Sequence, residues 1–457
     1  MIREIWSLKE FSRNFLNDFT GSVHLKRMDL HGFKEKENMK ANRFLPVIIL
    51  FLLASLMFVA GCKYNVTTPL WDQPYTALVA PQITSVNPSS EAKPGVSTIT
   101  ISGHHFIVPA SDPTVPDTTL VYFGSYIADV VSIDTTTIVV RRPNLVTDTC
   151  VIKVAPHNPI AEAIYGPYKL DAVIENYGGF LSNLQLGGIV VDNSEKIYVT
   201  ETVSLVIHEA SSATDNIKLS NGNGKTNGTP WGACWGPDGF LYIMAGSSRG
   251  IDKVNPTSGT VTQKWVQLPK SVKFGDFGPG GYLFTGGTKT DLYIVPSYLS
   301  GSLTSSQAKT SGSYLADTIF AVKVFNGYVY VASKSGTTRE PTRIWRNKLL
   351  TDSTLGSREQ VVDMNTTSFS SEPISGIAFS SAGTMYISTA STDPLLVVDP
   401  TSGKVDNFYK GIVPPYCAGL CWSKTSNYLY IISGNTAAAQ PWTVMRIDMG
   451  VNGGANF

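Results

Sequence analysis

From Gly188 onward, apolar and polar residues alternate in short bursts, and one twelve-residue phrase returns six times. It reads GIVVDNSEKIYV from Gly188, GACWGPDGFLYI from Gly232, FGDFGPGGYLFT from Phe274, FAVKVFNGYVYV from Phe320 and GIAFSSAGTMYI from Gly376. The sixth, GLCWSKTSNYLYI from Gly419, carries one inserted residue. A period of two marks strands, so each phrase is two strands around a turn. Gly239, Gly281, Gly327 and Gly383 occupy the eighth position, where a hairpin turn needs positive φ. The marker aromatics Tyr198, Tyr242, Phe284, Tyr330, Tyr386 and Tyr430 follow one another at steps of 44, 42, 46, 56 and 44 residues. A period in the low forties, built of short strands, is that of a propeller blade. Residues 251–259 and 395–403 repeat a further strand and a D/N-P-T-S-G turn, expected to join the outer two strands of a blade. The long fourth step holds 333–341 and 349–370, polar, Ser/Thr-rich stretches expected as loops. Residues 171–180 are expected to add a strand to the last blade and latch the ring.

Ahead of the repeat, residues 81–170 show short alternating strands at intervals near ten residues and no helix period, the pattern of a β-sandwich. The P-x-I-x-x-V-x-P opening from Pro81, the G-x-x-F turn at Gly103 and Phe106, and the V-x-F-G strand end at Val121 come in order. Together they resemble the IPT/TIG immunoglobulin-like domain, with a Pro/Asp-rich insertion at 108–118 as the departure. The resemblance implies a spacer or contact module, here a stalk. The repeats themselves resemble six-bladed propellers of the NHL-like type. The expected fold is therefore all-β: an immunoglobulin-like β-sandwich at 81–170 followed by a six-bladed β-propeller at 171–457.

The first 61 residues follow another pattern. Residues 1–38 are charged and without apolar period, and are expected to be an over-extended start ahead of Met39. Lys40 and Arg43 then precede a nearly unbroken apolar run at 44–60, closed by Val59-Ala60-Gly61-Cys62. About 20 apolar residues cross a bilayer, but small residues directly before Cys mark a processing site. The ending resembles the bacterial lipobox, which implies removal of 39–61 as a lipoprotein signal peptide, lipidation of Cys62 and a tether at 62–80. Beyond Cys62 the chain carries 27 Lys and Arg against 29 Asp and Glu, a balance of −2 that offers no footprint for nucleic acid. The membrane partner is expected through the acyl chains of Cys62.

Cys150, Cys234, Cys417 and Cys421 show no disulfide framework, and residues four apart on one strand do not bridge. Cys234 and Cys421 share a register filled elsewhere by Val190, Asp276, Val322 and Ala378, a small buried strand position. His104 and His105 would point to opposite faces of a strand. Neither a metal site nor a cofactor is expected.

Propeller sites lie at one mouth of the central channel. Of the loops entering each first strand, Trp231 and Tyr416 offer aromatic faces suited to sugar rings. Of the loops between second and third strands, Glu201, Arg249, Lys289 and Lys334 offer charge and hydrogen bonds. Trp235 and Trp422, at position four, are expected as blade-to-blade core. Asp192 and Asp238 are expected as turn caps. There is no G-x-S-x-G elbow. Gluconolactonase-type propellers carry a Glu in the first blade strand, whereas 186–192 here has none; Asp276 is the one odd carboxylate. The function read from the chain is a non-enzymatic, lipid-anchored envelope protein, at the outer membrane, whose propeller binds a glycan or an envelope protein. The domain pairing resembles envelope lipoproteins of Bacteroidota-like bacteria, some of which bind glycans. A lactonase- or lyase-like enzyme with a divergent metal site is the competing class.

Overall fold

A computed structural model describes residues 79–107, 119–156, 162–219, 225–296, 303–335 and 342–454. The signal segment, Cys62, nearly all of the tether and the 108–118 insertion lie outside the described residues. No helix among the described residues is long and apolar enough to cross a membrane. Regular structure is strand, apart from short 3-10 turns.

The sandwich faces a four-stranded sheet (Gln82–Asn87, Thr98–His104, Thr137–Arg141, Val130–Ile133) against a five-stranded one (Glu91–Ala92, Ala163–Leu170, Thr147–Ala155, Leu120–Phe123, Tyr126–Ile127). Alternation buries every second residue: Ile99, Ile101, Val121, Phe123, Ile138, Val140, Ile152 and Val154 form one core. His104 ends its strand and His105 turns out of it with φ 60, both exposed.

Six four-stranded antiparallel sheets follow, one per phrase, so the chain is an immunoglobulin-like sandwich joined to a six-bladed propeller. In each blade the phrase supplies the innermost two strands. Gly239, Gly281, Gly327 and Gly383 adopt φ of 77, 75, 76 and 84°, and in blade 1 Glu195 takes the same position at 63°. Marker aromatics cross to position four of the next blade. Tyr198 stacks on Trp235 at 5.6 Å, Tyr242 meets Phe277 at 4.8 Å edge-on, Tyr330 meets Phe379 at 4.6 Å, and Tyr386 meets Trp422 at 5.2 Å. The two 255–259 and 399–403 turns link third to fourth strands with the same hydrogen bonds, Gly259 N to Asn255 O and Gly403 N to Asp399 O, both 2.9 Å.

Blade 6 takes its outermost strand from upstream: Ile174–Asn176 pairs antiparallel with Gln440–Asp448, which closes the ring as a latch. Glu195 reinforces the seam between blades 1 and 6 by accepting from the hydroxyls of Ser423, Thr425 and Ser426. One loop expectation is corrected. Most of 349–370 is strand, because Arg343–Thr351 and Thr354–Asp363 form a long outer hairpin of blade 4. Its inward residues Ile344 and Val362 are buried, and Arg346–Glu359 and Arg343–Asp363 ion pairs at 2.9 Å bind its strands.

The sandwich is docked on the flank of the propeller. Arg141 pairs with Asp406 at 2.8 Å, Lys410 with Asp129 at 2.9 Å, and the Tyr409 hydroxyl accepts from Gly95 N at 2.5 Å. Arg142, 2% exposed, donates to the carbonyls of Ala92, Lys93 and Asp171 and so pins the junction. The sandwich thus braces the propeller beside blades 5 and 6.

Candidate functional site

Each innermost strand starts from one side of the ring, the loop face, and ends in a hairpin on the other. On the loop face, at the seam of blades 6 and 1, a hollow of about 350 Å³ opens beside the axis, within the range of ligand pockets. Trp231, Tyr416 and Trp442 border it, with Gln185, Thr202 and Thr436 among its polar groups and no charged side chain in its lining.

Local backbone fixes these rings. Tyr416 takes φ 63 immediately before its strand; its N–H donates to Ser391 O at 2.8 Å and its carbonyl accepts from Gly434 N at 3.0 Å. Trp442 lies across Gly434, where a Cβ would fall 2.6 Å from the indole and φ is 154, so the site requires glycine there on both counts. The Trp442 indole N–H donates to Thr436 Oγ1 at 3.2 Å, and Gln185 Nε2 donates to the same hydroxyl at 3.0 Å. Trp231 is 44% exposed, with the Lys273 ammonium 4.7 Å from its ring centroid. Aromatic faces beside amide and hydroxyl groups can stack on C–H faces and exchange hydrogen bonds, with the Lys273 ammonium over one of the rings.

Of the residues singled out from sequence, Trp231 and Tyr416 therefore share one hollow. Glu201 does not join them. It is 3% exposed, bonded to His208 Nε2 at 3.1 Å and to the Ser204 hydroxyl. Burial pushes its carboxyl pKa up, but the hydrogen bonds from Ser204 and His208 outweigh that and hold it below the ordinary value. Arg249, Lys289 and Lys334 are exposed, each on a different blade and outside the hollow. Arg249 donates to Pro269 O at 3.3 Å. Asp192 accepts from Ser194 N and Lys196 N at 2.7 and 3.0 Å, and Asp238 pairs with Lys253 at 2.7 Å and Tyr242 Oη at 2.9 Å. Sequence reasoning missed Trp442 and Thr436. They sit at a second-to-third strand connection, the loop class already singled out, but blade 6 offers no charge there to draw notice.

The channel itself, about 120 Å³, is walled by the innermost strands. Asp276 lines it and is 7% exposed, held by Val324 N at 2.9 Å and Lys323 Nζ at 3.1 Å. No group of three or more His, Cys, Asp or Glu able to hold a metal occurs among the described residues. All four described cysteines are free thiols.

Residues 81–170 match the family model of the IPT/TIG domain. No curated protein matches the chain. Among solved structures the chain is similar to an auxiliary nutrient binding protein from Bacteroides thetaiotaomicron, at 11% identity and TM-score 0.46, covering 81% of this chain and 97% of that one. It is similar to a luciferin-regenerating enzyme at 15% identity and TM-score 0.49, covering 62% and 98%. A calcium-binding protein, regucalcin, from Agrobacterium tumefaciens is similar at 14% identity and TM-score 0.46, covering 62% and 96%. At such identities the likeness concerns fold.

Proposed function

We propose that this protein is a non-enzymatic, lipid-anchored envelope protein whose propeller captures a glycan on its loop face. The observation that carries the reading is the uncharged hollow framed by Trp231, Tyr416 and Trp442. A pyranose presents one C–H face and a rim of hydroxyls. Flat indole and phenol rings answer the first, and Gln185 and Thr436 answer the second. Anchoring through Cys62 rests on the apolar run and the small residues before it.

Affinity electrophoresis of the full chain through gels containing neutral polysaccharides tests the reading. At least one polysaccharide retards the wild type, and Trp231→Ala and Trp442→Ala each weaken retention. Unburying one apolar ring forfeits about 1.5–3 kcal/mol, roughly ten- to a hundredfold in affinity. Equal mobility of wild type and variants in every gel overturns glycan capture. Metal-dependent lactone turnover lost in Asp276→Ala overturns the non-enzymatic part.

A further inference from the structure

Around the channel, position three of the phrase holds Val190, Cys234, Val322, Ala378 and Cys421, with Asp276 the exception. Position four holds Val191, Trp235, Phe277, Phe379 and Trp422, with Lys323 the exception. The two exceptions face each other across blades 3 and 4 as an ion pair. Lys323 thus stands where another blade presents an aromatic ring to its neighbour, so packing alone does not account for it.

A second lysine meets this pair. Lys424, from the hairpin after the innermost strand of blade 6, lines the same channel. It has no hydrogen-bond or ion-pair partner among the described residues. Asp276 is already engaged by Lys323 and by Val324 N. Glu195, on the neighbouring blade 1 hairpin, is taken up by the hydroxyls of Ser423, Thr425 and Ser426. The thiols of Cys234 and Cys421 also face the cluster, and burial pushes the pKa of each up, which leaves them neutral. Burial, and then the charge of Lys323, lower the pKa of Lys424. The cluster therefore carries two ammonium groups against one carboxylate. Asp276 opposes the fall in the Lys424 pKa but is shared with Lys323, and a half-buried ammonium that shares its one counter-charge is relieved by a bound anion or by loss of its proton.

We propose that the hairpin-face end of the central channel binds one small oxyanion between the ammonium groups of Lys323 and Lys424. The channel volume of about 120 Å³ sets the size class, since engineered cavities of about 150 Å³ hold a single benzene. The C-terminal segment limits access from the hairpin face: Gly454 N donates to Phe379 O at 2.7 Å and Ser381 N to Asn452 O at 2.8 Å. The glycan hollow lies at the other face and uses none of these charged groups, so either reading can fail alone.

Calorimetric titration of the full chain with sodium sulfate, in sodium chloride of matched ionic strength, tests the site. Sulfate keeps its charge across the neutral and alkaline range, so any pH dependence reports the protein. Saturable one-to-one binding is expected, weakening as pH rises and Lys424 loses its proton. Lys424→Met removes a charge-assisted hydrogen bond and should weaken binding roughly tenfold or more, while Lys424→Arg retains it. Asp276→Asn removes the competing carboxylate and should tighten binding several-fold, a gain that a purely structural role for the cluster does not give. Absence of saturable binding, or equal affinity in the wild type and Lys424→Met, overturns the proposal.

Discussion

Glu201 shows why a residue's chemistry is not its address. Its position at the end of a second strand suggested a ligand contact, yet His208, seven residues on, returns across the hairpin and captures it. Sequence spacing alone does not reveal that closure. Because the folded carboxyl titrates below its ordinary value of 4.5, its stabilisation is present above that value and is lost as pH falls through the folded pKa. Glu201→Gln should therefore lower stability at pH 7 by about 1–3 kcal/mol, and the gap to the wild type should close under acid, as read by urea unfolding across pH. The thiols make a second case. Burial pushes Cys417 up to about 12 and Cys234 well above its usual value, whereas Cys150 is only half-buried. Maleimide labelling of the native protein should modify Cys150 before Cys234 or Cys417, a ranking that mass mapping reads directly.

The phrases were legible because their two strands are buried on one or both faces, so alternation and the eighth-position turn survive in the sequence. The twin turns at 255–259 and 399–403 were equally plain, since Asn255 Oδ1 accepts from Thr257 N at 2.8 Å and Asp399 Oδ1 from Thr401 N at 3.0 Å. Asn255→Ala removes that acceptor and should cost about 1 kcal/mol, a drop of a few degrees in Tm. The outer hairpin of blade 4 was illegible for the opposite reason. Its strands end the sheet and meet solvent widely, so Arg346 pairs with Glu359 while Arg358 reaches Asp317 at 3.6 Å and lies over Trp345, and their composition imitates a loop. The hollow was half legible for a similar reason. Trp231 and Tyr416 stand at the starts of recognisable strands, whereas Trp442 depends on the bare backbone of Gly434 beneath it.

At the scale of the molecule, sandwich and propeller are coupled through Arg142, which serves carbonyls of both the sandwich and the junction. Burial is the main cause lowering its pKa, with nearby Tyr409 and Asp171 opposing. Replacing it by Ala removes three charge-assisted bonds at once, although the Ala92 and Lys93 carbonyls keep the N–H of Asp171 and of Val96 at 3.3 and 3.2 Å. Calorimetry should then resolve two unfolding transitions where the wild type gives one. The latch carries a different consequence. Glu175 meets Arg446 across 271 residues, so the earliest-made piece of the ring waits for the last. A ribosome delivers the chain from the N-terminus, and until the final blade emerges the nascent toroid is an open arc with a raw edge at each end. Long-range closure of this kind is slow and exposed to mispairing. Translation arrest before residue 440 should therefore leave a protease-sensitive intermediate, and moving Ile174–Asn176 to the C-terminus by circular permutation should shorten its lifetime.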